Sequence, residues 1–135
     1  MSEFVVFDTS VLIDNWRTNR HAGRMANLGS PMRSCSVVLA ELWRGATERE
    51  ERETLRVIEK NHAILNPTAN DWLESGHILA RIRDDRGIDP QKLRDLHFDV
   101  LIALTVRSHG ARLITSNRAD FELIRKYRDF KLEVW

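Results

Sequence analysis

Apolar residues recur along this chain in two alternating patterns, short continuous runs and longer stretches with helical spacing. The short runs predict four strands and a closing edge strand, which are expected at residues 4–7, 33–36, 63–65, 112–116 and 130–134. The longer stretches repeat their apolar residues at intervals of three and four, which predicts helices. Strands that alternate with helices along one chain indicate an α/β protein whose mainly parallel sheet is covered on both faces.

The residues at their ends help to delimit the predicted helices. We expect helices at 11–16, within 17–31, at 37–45, at 48–61, from 69 to about 87, from 90 to about 110 and around 121–124. Thr47 is placed to cap the helix at 48–61, and Pro90 suits a first helical turn. The helix that ends near Gly87 is predicted to bury one stripe of residues, formed by Ala69, Trp72, Leu73, Gly76, Leu79 and Ala80.

Length and composition are those of a small globular protein. With 135 residues, 42% hydrophobic and 30% charged, the chain is expected to form a single domain over residues 1–135. No apolar stretch approaches the roughly 20 residues of a membrane-spanning helix, and no secretory signal is visible. A lone Cys35 excludes an internal disulfide framework, so we expect a cytoplasmic protein. The net charge of +1 excludes a generally basic nucleic-acid coat but allows a local basic rim.

Three acidic residues lie where the pattern predicts burial or a ligand-binding edge. Asp8 directly follows the first strand, and the carboxyl ends of parallel strands are where open α/β sheets bind ligands. Glu41 and Asp99 lie on the apolar stripes of their helices, although an unpaired buried charge is costly. Each acid has an ordinary alternative, a helix cap for Asp8 and an arginine ion pair for the other two. A single cluster of carboxylates in the folded protein would explain the positions of all three acids.

Such a cluster requires a cation, because two carboxylates about 4 Å apart repel by about 4 kcal/mol at an effective dielectric of about 20. All-oxygen ligands without a second cysteine or a paired histidine favour Mg²⁺ or Mn²⁺ over zinc. Carboxylate-bound magnesium commonly meets phosphate substrates, so phosphodiester hydrolysis is the leading hypothesis. Asn117 and Asp120 follow the strand at 112–116 and add polar groups there, although a turn and a helix cap explain them equally well.

Four short motifs are spread along the chain, with Asp120-Phe121 following the last one. They are FDTSVLID at 7–14, VLAEL at 38–42, FDVLIA at 98–103 and LITSN at 113–117. In this order and at these separations the chain resembles PIN-domain ribonucleases, specifically the VapC-like toxins of type II (VapBC) toxin–antitoxin systems. Each motif alone is weak, whereas all four in order are specific, and the resemblance covers the whole chain.

The resemblance implies a PIN-like α/β/α sandwich with a mainly parallel central sheet of four to five strands, and Mg²⁺- or Mn²⁺-dependent endoribonuclease activity. Asp8, Glu41 and Asp99 match the three recurrent metal-site acids of the family. Asn117 stands at the fourth catalytic position, which is commonly Asp in PIN domains. The candidate supporting residues are Thr9, Ser116 and Asp120.

The resemblance also implies partners. These are an RNA substrate, a second copy of the chain in a homodimer, and a VapB-like antitoxin that inserts a C-terminal segment. The acidic cluster is a natural receptor for an antitoxin arginine, since a guanidinium pairs bidentately with carboxylates. The loop after the first motif carries a basic run without an acid, and its candidate RNA-binding residues are Arg17, Arg20 and Arg24.

Two other interpretations stay open at this point. A haloacid-dehalogenase-like phosphatase also places a nucleophilic Asp after its first strand, but it needs a second Asp two positions on, where this chain has Ser10. A degenerate or housekeeping PIN module would bind RNA or a partner without a toxin role. The presence of Asp8, Glu41 and Asp99 argues against degeneracy.

Overall fold

Five short strands form the centre of the molecule in a computed structural model that describes residues 3–135. They are β1 (Val5–Phe7), β2 (Ser34–Cys35), β3 (Ile64–Leu65), β4 (Arg112–Thr115) and β5 (Lys131–Val134). Each overlaps a strand predicted from the sequence, and the predicted closing edge strand is β5.

Within this described part of the chain, seven helices connect the strands. They are α1 (Thr9–Thr18), α2 (Ala22–Ala26), α3 (Ser36–Gly45), α4 (Arg49–Asn61), α5 (Ala69–Arg86), α6 (Pro90–Ser108) and α7 (Arg118–Arg125). The α6 helix begins at Pro90 as predicted, and α5 ends at Gly87, whose φ of 59° lies in the left-handed region that glycine adopts easily. The predicted Thr47 cap is wrong, because Glu48 is the residue that precedes the first turn of α4. Its backbone N–H donates to Glu51 at 3.2 Å.

All strand pairs are parallel, which confirms the predicted fold class. One sheet has the order β1-β4-β5, and β2 pairs with β3 in a second sheet. A parallel bridge between Val5 and Met32 connects the two, with the Arg33 N–H donating to the Val5 carbonyl at 2.9 Å. The spatial order is therefore β3-β2-β1-β4-β5. The chain leaves β1 toward β2 on one side and returns to β4 on the other, so the strand order reverses between β1 and β4. Such a switch point forms a crevice at the carboxyl ends of the two strands.

Both faces of the central strands are buried. Val6 and Leu113 point into the larger core, which also contains the continuously buried segment 100–106 of α6. Phe7 and Ile114 point to the opposite face, where they pack with Val11 of α1. Because alternate residues of a strand face opposite sides, this division shows helices on both sides of the sheet, as in an α/β/α sandwich.

The inward face of α5 differs from the predicted stripe. Trp72 and Leu73 are 52% and 69% exposed, whereas Asp71 and Ser75 are buried. Asp71 takes part in a capping box with Thr68, and its other oxygen accepts a hydrogen bond from Ser108 at 2.6 Å. These bonds satisfy the buried carboxylate and set the rotation of the helix, so that the larger apolar side chains at its start face solvent.

In the part of the chain that the structure describes, no helix combines the length and the apolar character needed to cross a bilayer.

Candidate metal centre

Three carboxylates meet at the carboxyl end of β1. Asp8 follows that strand, Glu41 lies on α3 and Asp99 lies on α6, and one oxygen from each is within 4.8 Å of the others. We call these three residues the acidic cluster. Asp8 is only 3% exposed, and the other two are half-buried. The structure thus brings together the three acids that the sequence placed on separate elements.

Asp8 stands at the residue before α1, but its side chain does not cap that helix. Oδ2 of Asp8 accepts hydrogen bonds from the hydroxyls of Ser10 and Thr115, both at 2.8 Å. The backbone N–H of Asp8 donates to the Ile114 carbonyl at 2.9 Å, so the pairing of β1 with β4 brings Thr115 beside it. The helix-cap alternative for the Asp8 side chain is therefore wrong.

A hydroxyl network connects the acidic cluster to the end of β4. The Asn117 N–H donates to the Thr115 hydroxyl at 2.9 Å, and the Ser116 N–H donates to the Ser10 hydroxyl at 3.1 Å. Sequence reasoning missed Ser10 and Thr115 as contacts of Asp8. Their positions in the sequence could have indicated these contacts, because Ser10 lies two residues after Asp8 and Thr115 is the last residue of β4.

The two hydroxyl residues that the sequence did propose differ in their contacts. The Thr9 hydroxyl donates to Oε1 of Glu41 at 3.0 Å, which connects the start of α1 to α3. The Ser116 hydroxyl is buried and has no hydrogen-bond partner among residues 3–135.

Burial raises the pKa of all three acids, and repulsion by neighbouring carboxylates adds to this effect for Glu41 and Asp99. Desolvation, followed by the nearby charges of Asp8 and Glu41, raises the pKa of Asp99 from 3.8 to about 8. Desolvation also raises the pKa of Asp8, against the lowering effect of its hydroxyl donors, and it raises that of Glu41, to which Asp8 adds repulsion. Without a bound cation, Asp99 therefore keeps its proton at neutral pH.

Among residues 3–135, no cation lies close enough to neutralise the acidic cluster. Nη2 of Arg44 lies 4.0 Å from Oε2 of Glu41, and this arginine side chain is 71% exposed. Nζ of Lys92 donates to both carboxylate oxygens of Asp120 at 3.0 Å, so its charge is directed to a different acid. Three close carboxylate oxygens without a compensating cation fit a hard divalent ion such as Mg²⁺ or Mn²⁺.

Asn117 and Asp120 lie beside the acidic cluster but interact with each other. The Asn117 side-chain oxygen accepts a hydrogen bond from the Asp120 N–H at 3.4 Å and so caps α7. Its amide nitrogen donates to Oδ2 of Asp120 at 3.1 Å. Asp120 is thus engaged by Lys92 and Asn117, and it acts on Asp99 only through its charge, which contributes to the raised pKa of Asp99.

The structure separates the three arginines of the predicted basic loop. Arg17 lines a cleft together with Glu41, so it lies near the acidic cluster. Arg20 pairs with Asp14 at 3.4 Å, and the Arg24 guanidinium lies 5.5 Å from the centre of the Trp135 ring. Only Arg17 is therefore adjacent to the acidic cluster.

Replacing Thr115 with valine tests the hydroxyl network. The change preserves shape but leaves the half-buried Asn117 N–H without its acceptor and removes one donor from Asp8. We expect a loss of about 1–3 kcal/mol in the free energy of unfolding, measured with urea. Thr105 is equally buried, but its hydroxyl donates to a helix carbonyl, that of Leu101. Thr105→Val should therefore cost less than about 1 kcal/mol, and equal losses for both variants would contradict the assigned network.

Comparison with known proteins agrees with this geometry. A model of the PIN domain family matches residues 5–127. Over its whole length the chain is similar to 99% of a chain of DNA-bound VapBC from Salmonella typhimurium, at 26% identity and a TM-score of 0.70. It also shares the fold of VapBC2 from Rickettsia felis bound to a promoter DNA fragment, at 20% identity, 98% coverage of both chains and a TM-score of 0.72. VapBC-1 from nontypeable Haemophilus influenzae shows the same fold, at 22% identity, 98% coverage of both chains and a TM-score of 0.70. A comparison with curated proteins gave no match.

The fold is an α/β/α sandwich whose three close carboxylates lie at the ligand-binding edge of a parallel sheet. The family match covers most of the chain, and the chain belongs to the PIN-domain family. Its resemblance to VapC-like PIN ribonucleases is thereby confirmed.

Proposed function

We propose that this chain is a Mg²⁺- or Mn²⁺-dependent endoribonuclease and the toxin of a toxin–antitoxin pair. The observation that carries the proposal is the acidic cluster, three carboxylates without a compensating cation at the switch point of the sheet. Membership of the PIN-domain family and the likeness to a VapBC structure support a nuclease over the phosphatase alternative. Ser10 supports it as well, because a phosphatase would need a second Asp at this position, whereas Ser10 donates a hydrogen bond to Asp8.

Asp8, Glu41 and Asp99 would hold the metal through carboxylate oxygens. A bound divalent ion would supply positive charge that neutralises the scissile phosphate and lowers the pKa of a water. Ser10 and Thr115 both donate to Oδ2 of Asp8 and fix the orientation of this carboxylate. Thr9 holds one oxygen of Glu41 in the same way. Asp99 would release its proton when the cation binds, since a positive charge beside the carboxylate favours its ionised form against the effects of burial and repulsion.

The reaction is the attack of water on a phosphodiester phosphorus, with cleavage of the bond from phosphorus to the 3′ oxygen. The water loses one proton and the departing 3′ oxygen gains one, which leaves a 5′-phosphate and a 3′-hydroxyl. The role of Asn117 in this proposal is to fix the start of α7 and, through its N–H, the orientation of Thr115.

A cleavage assay on a long single-stranded RNA tests this function. The purified chain should cut the RNA with Mg²⁺ or Mn²⁺ and lose this activity in EDTA, leaving fragments with 5′-phosphates. Asp8→Ala should lower the rate by at least about a hundredfold, since it removes a ligand from the site. The matched control is Asp129→Ala at an exposed position outside the acidic cluster. Cleavage that persists in EDTA, or in Asp8→Ala, would contradict the assignment, and RNA binding without cleavage would favour a non-catalytic PIN module.

The proposed antitoxin is a VapB-like protein whose C-terminal segment enters the site. The structure offers a cleft of about 160 Å³ between α1 and α3, lined in part by Trp16, Leu42 and Gly45. Glu41 also lines this cleft, so an apolar segment lying in it could present an arginine to the acidic cluster. The Salmonella structure contains a VapBC complex, which supports a partner of this kind.

A homodimer is the third part of the proposal. Trp72 and Leu73 are large apolar residues exposed on α5, and Trp72 lines an apolar cleft of about 360 Å³ with Val37 and Pro67. Burying such a patch against a second copy would remove it from water. Light scattering should report a dimer at micromolar concentration and a monomer for Trp72→Glu. Val57→Glu, also exposed but on α4, should stay dimeric. A wild-type monomer would contradict the dimer.

A further inference from the structure

A second cleft, of about 270 Å³, opens beside the acidic cluster and shares Glu41 with it. Its other lining residues are Arg44 of α3 and Arg94, Asp95 and Phe98 of α6. We call it the Arg44–Arg94 cleft. Because Glu41 belongs both to this cleft and to the acidic cluster, a ligand in the cleft lies next to whatever the cluster binds. In a nuclease the acidic cluster binds the phosphate that is cleaved, so the ligand in this cleft would be a nucleotide on one side of the cleaved bond.

The two arginines of this cleft keep most of their hydrogen-bonding capacity for a ligand. Nη2 of Arg94 donates to Oε1 of Gln91 at 2.9 Å, and Arg94 has no carboxylate partner in the described part of the chain. Nε2 of Gln91 in turn donates to Asp95 at 3.0 Å, so this amide holds the acid away from an ion pair with Arg94. Arg44 approaches Glu41 only to 4.0 Å. Lys92 is the contrast, since both its contacts are to Asp120.

The cleft also contains an aromatic surface. The guanidinium of Arg44 lies 5.3 Å from the centre of the Phe98 ring, and Phe98 is half-buried immediately before Asp99 in α6. Single-stranded RNA is held by bases that stack on aromatic rings and on arginine planes, and by cations at its phosphates. Arg44, Arg94 and Phe98 provide both kinds of contact in a cleft that Glu41 of the acidic cluster also lines.

We propose that the Arg44–Arg94 cleft binds the nucleotide next to the cleaved phosphodiester. Arg44 and Arg94 contact its phosphate, and its base stacks on Phe98. This inference rests on the proposed nuclease function and specifies where its single-stranded substrate lies. Because stacking and phosphate contacts are sequence-tolerant, the cleft supplies affinity and register, not base identity.

Binding of a short fluorescein-labelled single-stranded RNA of mixed sequence, measured by anisotropy in EDTA, tests the cleft without cleavage. Arg44→Gln and Arg94→Gln should each weaken binding and lower the slope of log K against log salt by about 0.7, the value for one lost phosphate contact. Phe98→Leu should weaken binding at least about fivefold and leave the slope unchanged, since stacking releases no counterions. Arg81→Gln is the matched control, because Arg81 is an exposed arginine that stacks on Tyr127, beyond the end of α7.

Cleavage kinetics of the same variants separate this inference from the proposed function. With Mg²⁺, the Arg44→Gln and Arg94→Gln variants should show a raised KM and a largely retained kcat. If both arginine variants bind RNA with wild-type affinity and slope, the cleft proposal is overturned, while metal-dependent cleavage that still requires Asp8 keeps the nuclease. If the wild-type chain fails to bind the RNA, the cleft proposal is likewise overturned. Arginine variants that all lose affinity equally, Arg81→Gln included, would also overturn it, since a general charge effect would then explain the result.

Discussion

Replacing Asp99 with asparagine will abolish metal-dependent RNA cleavage and make the metal-free protein more stable at pH 8. The two effects have one cause, because the same negative charge that a cation requires is costly in its absence. The pKa of Asp99 is raised from 3.8 to about 8 in the folded state. An unfolded chain ionises this group near its ordinary pKa, so the folded state becomes progressively less favourable between about pH 4 and about pH 8.

Asparagine cannot ionise, so the advantage of Asp99→Asn should be absent near pH 4, grow as the pH rises and become constant above about pH 8. We expect a gain on the order of 2 kcal/mol in the free energy of unfolding at pH 8. The full shift would give more at about 1.4 kcal/mol per pH unit, but Asp99 is partly exposed and solvent screens its charge. Urea unfolding in EDTA across this pH range measures the difference.

Added Mn²⁺ provides the second half of this test. It should raise the melting temperature of the wild-type protein and have little effect on Asp99→Asn, in which a neutral amide replaces one of the three carboxylates. Asp129→Asn is the control for a loss of exposed negative charge, and its stability should follow the wild type at every pH. If Asp99→Asn cleaves RNA at the wild-type rate, Asp99 is not part of the catalytic site. If the stabilities of Asp99→Asn and the wild type change in parallel with pH, the raised pKa of Asp99 is contradicted.

Expression of this chain alone in a bacterial host will stop growth, and co-expression of the small protein encoded beside it will restore colony numbers by several orders of magnitude. The physical reason is competition for the acidic cluster. We expect a guanidinium supplied by the partner to pair bidentately with the carboxylates in place of the divalent ion, while apolar side chains of the partner fill the cleft between α1 and α3.

Two tryptophan variants make this prediction specific. Trp16 lines the cleft beside Glu41, so Trp16→Ala should retain RNA cleavage but lose rescue by the partner. Trp43 lies on α3 with its indole N–H donating to Glu59 outside that cleft, and Trp43→Ala should still be rescued. Asp99→Asn should be non-toxic when expressed alone. A chain that no neighbouring small protein binds, or whose cleavage survives that binding, would contradict the toxin function and favour a housekeeping nuclease.

Most elements of the fold follow from local pattern. Val5–Phe7 lies within the apolar run at 4–7, and Arg112–Thr115 contains the apolar pair Leu113-Ile114. Each strand differs from its predicted range by one residue at one end. Pro90 and Gly87 mark helix ends through backbone preferences that act within a single residue. The division into one domain stays a prediction of length and composition. Interactions over a few residues therefore determine where the strands and helices lie.

The α5 helix shows where local pattern fails. Its spacing predicts that Trp72 and Leu73 face inward, yet Asp71 is buried in their place. The reason is not local, since the Asp71 carboxylate is satisfied partly by Ser108, which lies 37 residues further along the chain. A hydrophobic pattern cannot anticipate a burial that depends on so distant a hydrogen-bond partner.

At the site, the sequence alone determined which acids are out of place, because Glu41 and Asp99 interrupt apolar stripes and Asp8 ends a strand. Tertiary structure alone decided what surrounds them. Thr115 reaches Asp8 because β1 and β4 pair in a register that brings together residues 107 positions apart. Asp120 forms an ion pair with Lys92, which lies on a different helix. An acidic residue at an apolar position can be recognised from the sequence. The partner of a hydrogen bond or of a charge depends on distance in space, which only the folded chain defines.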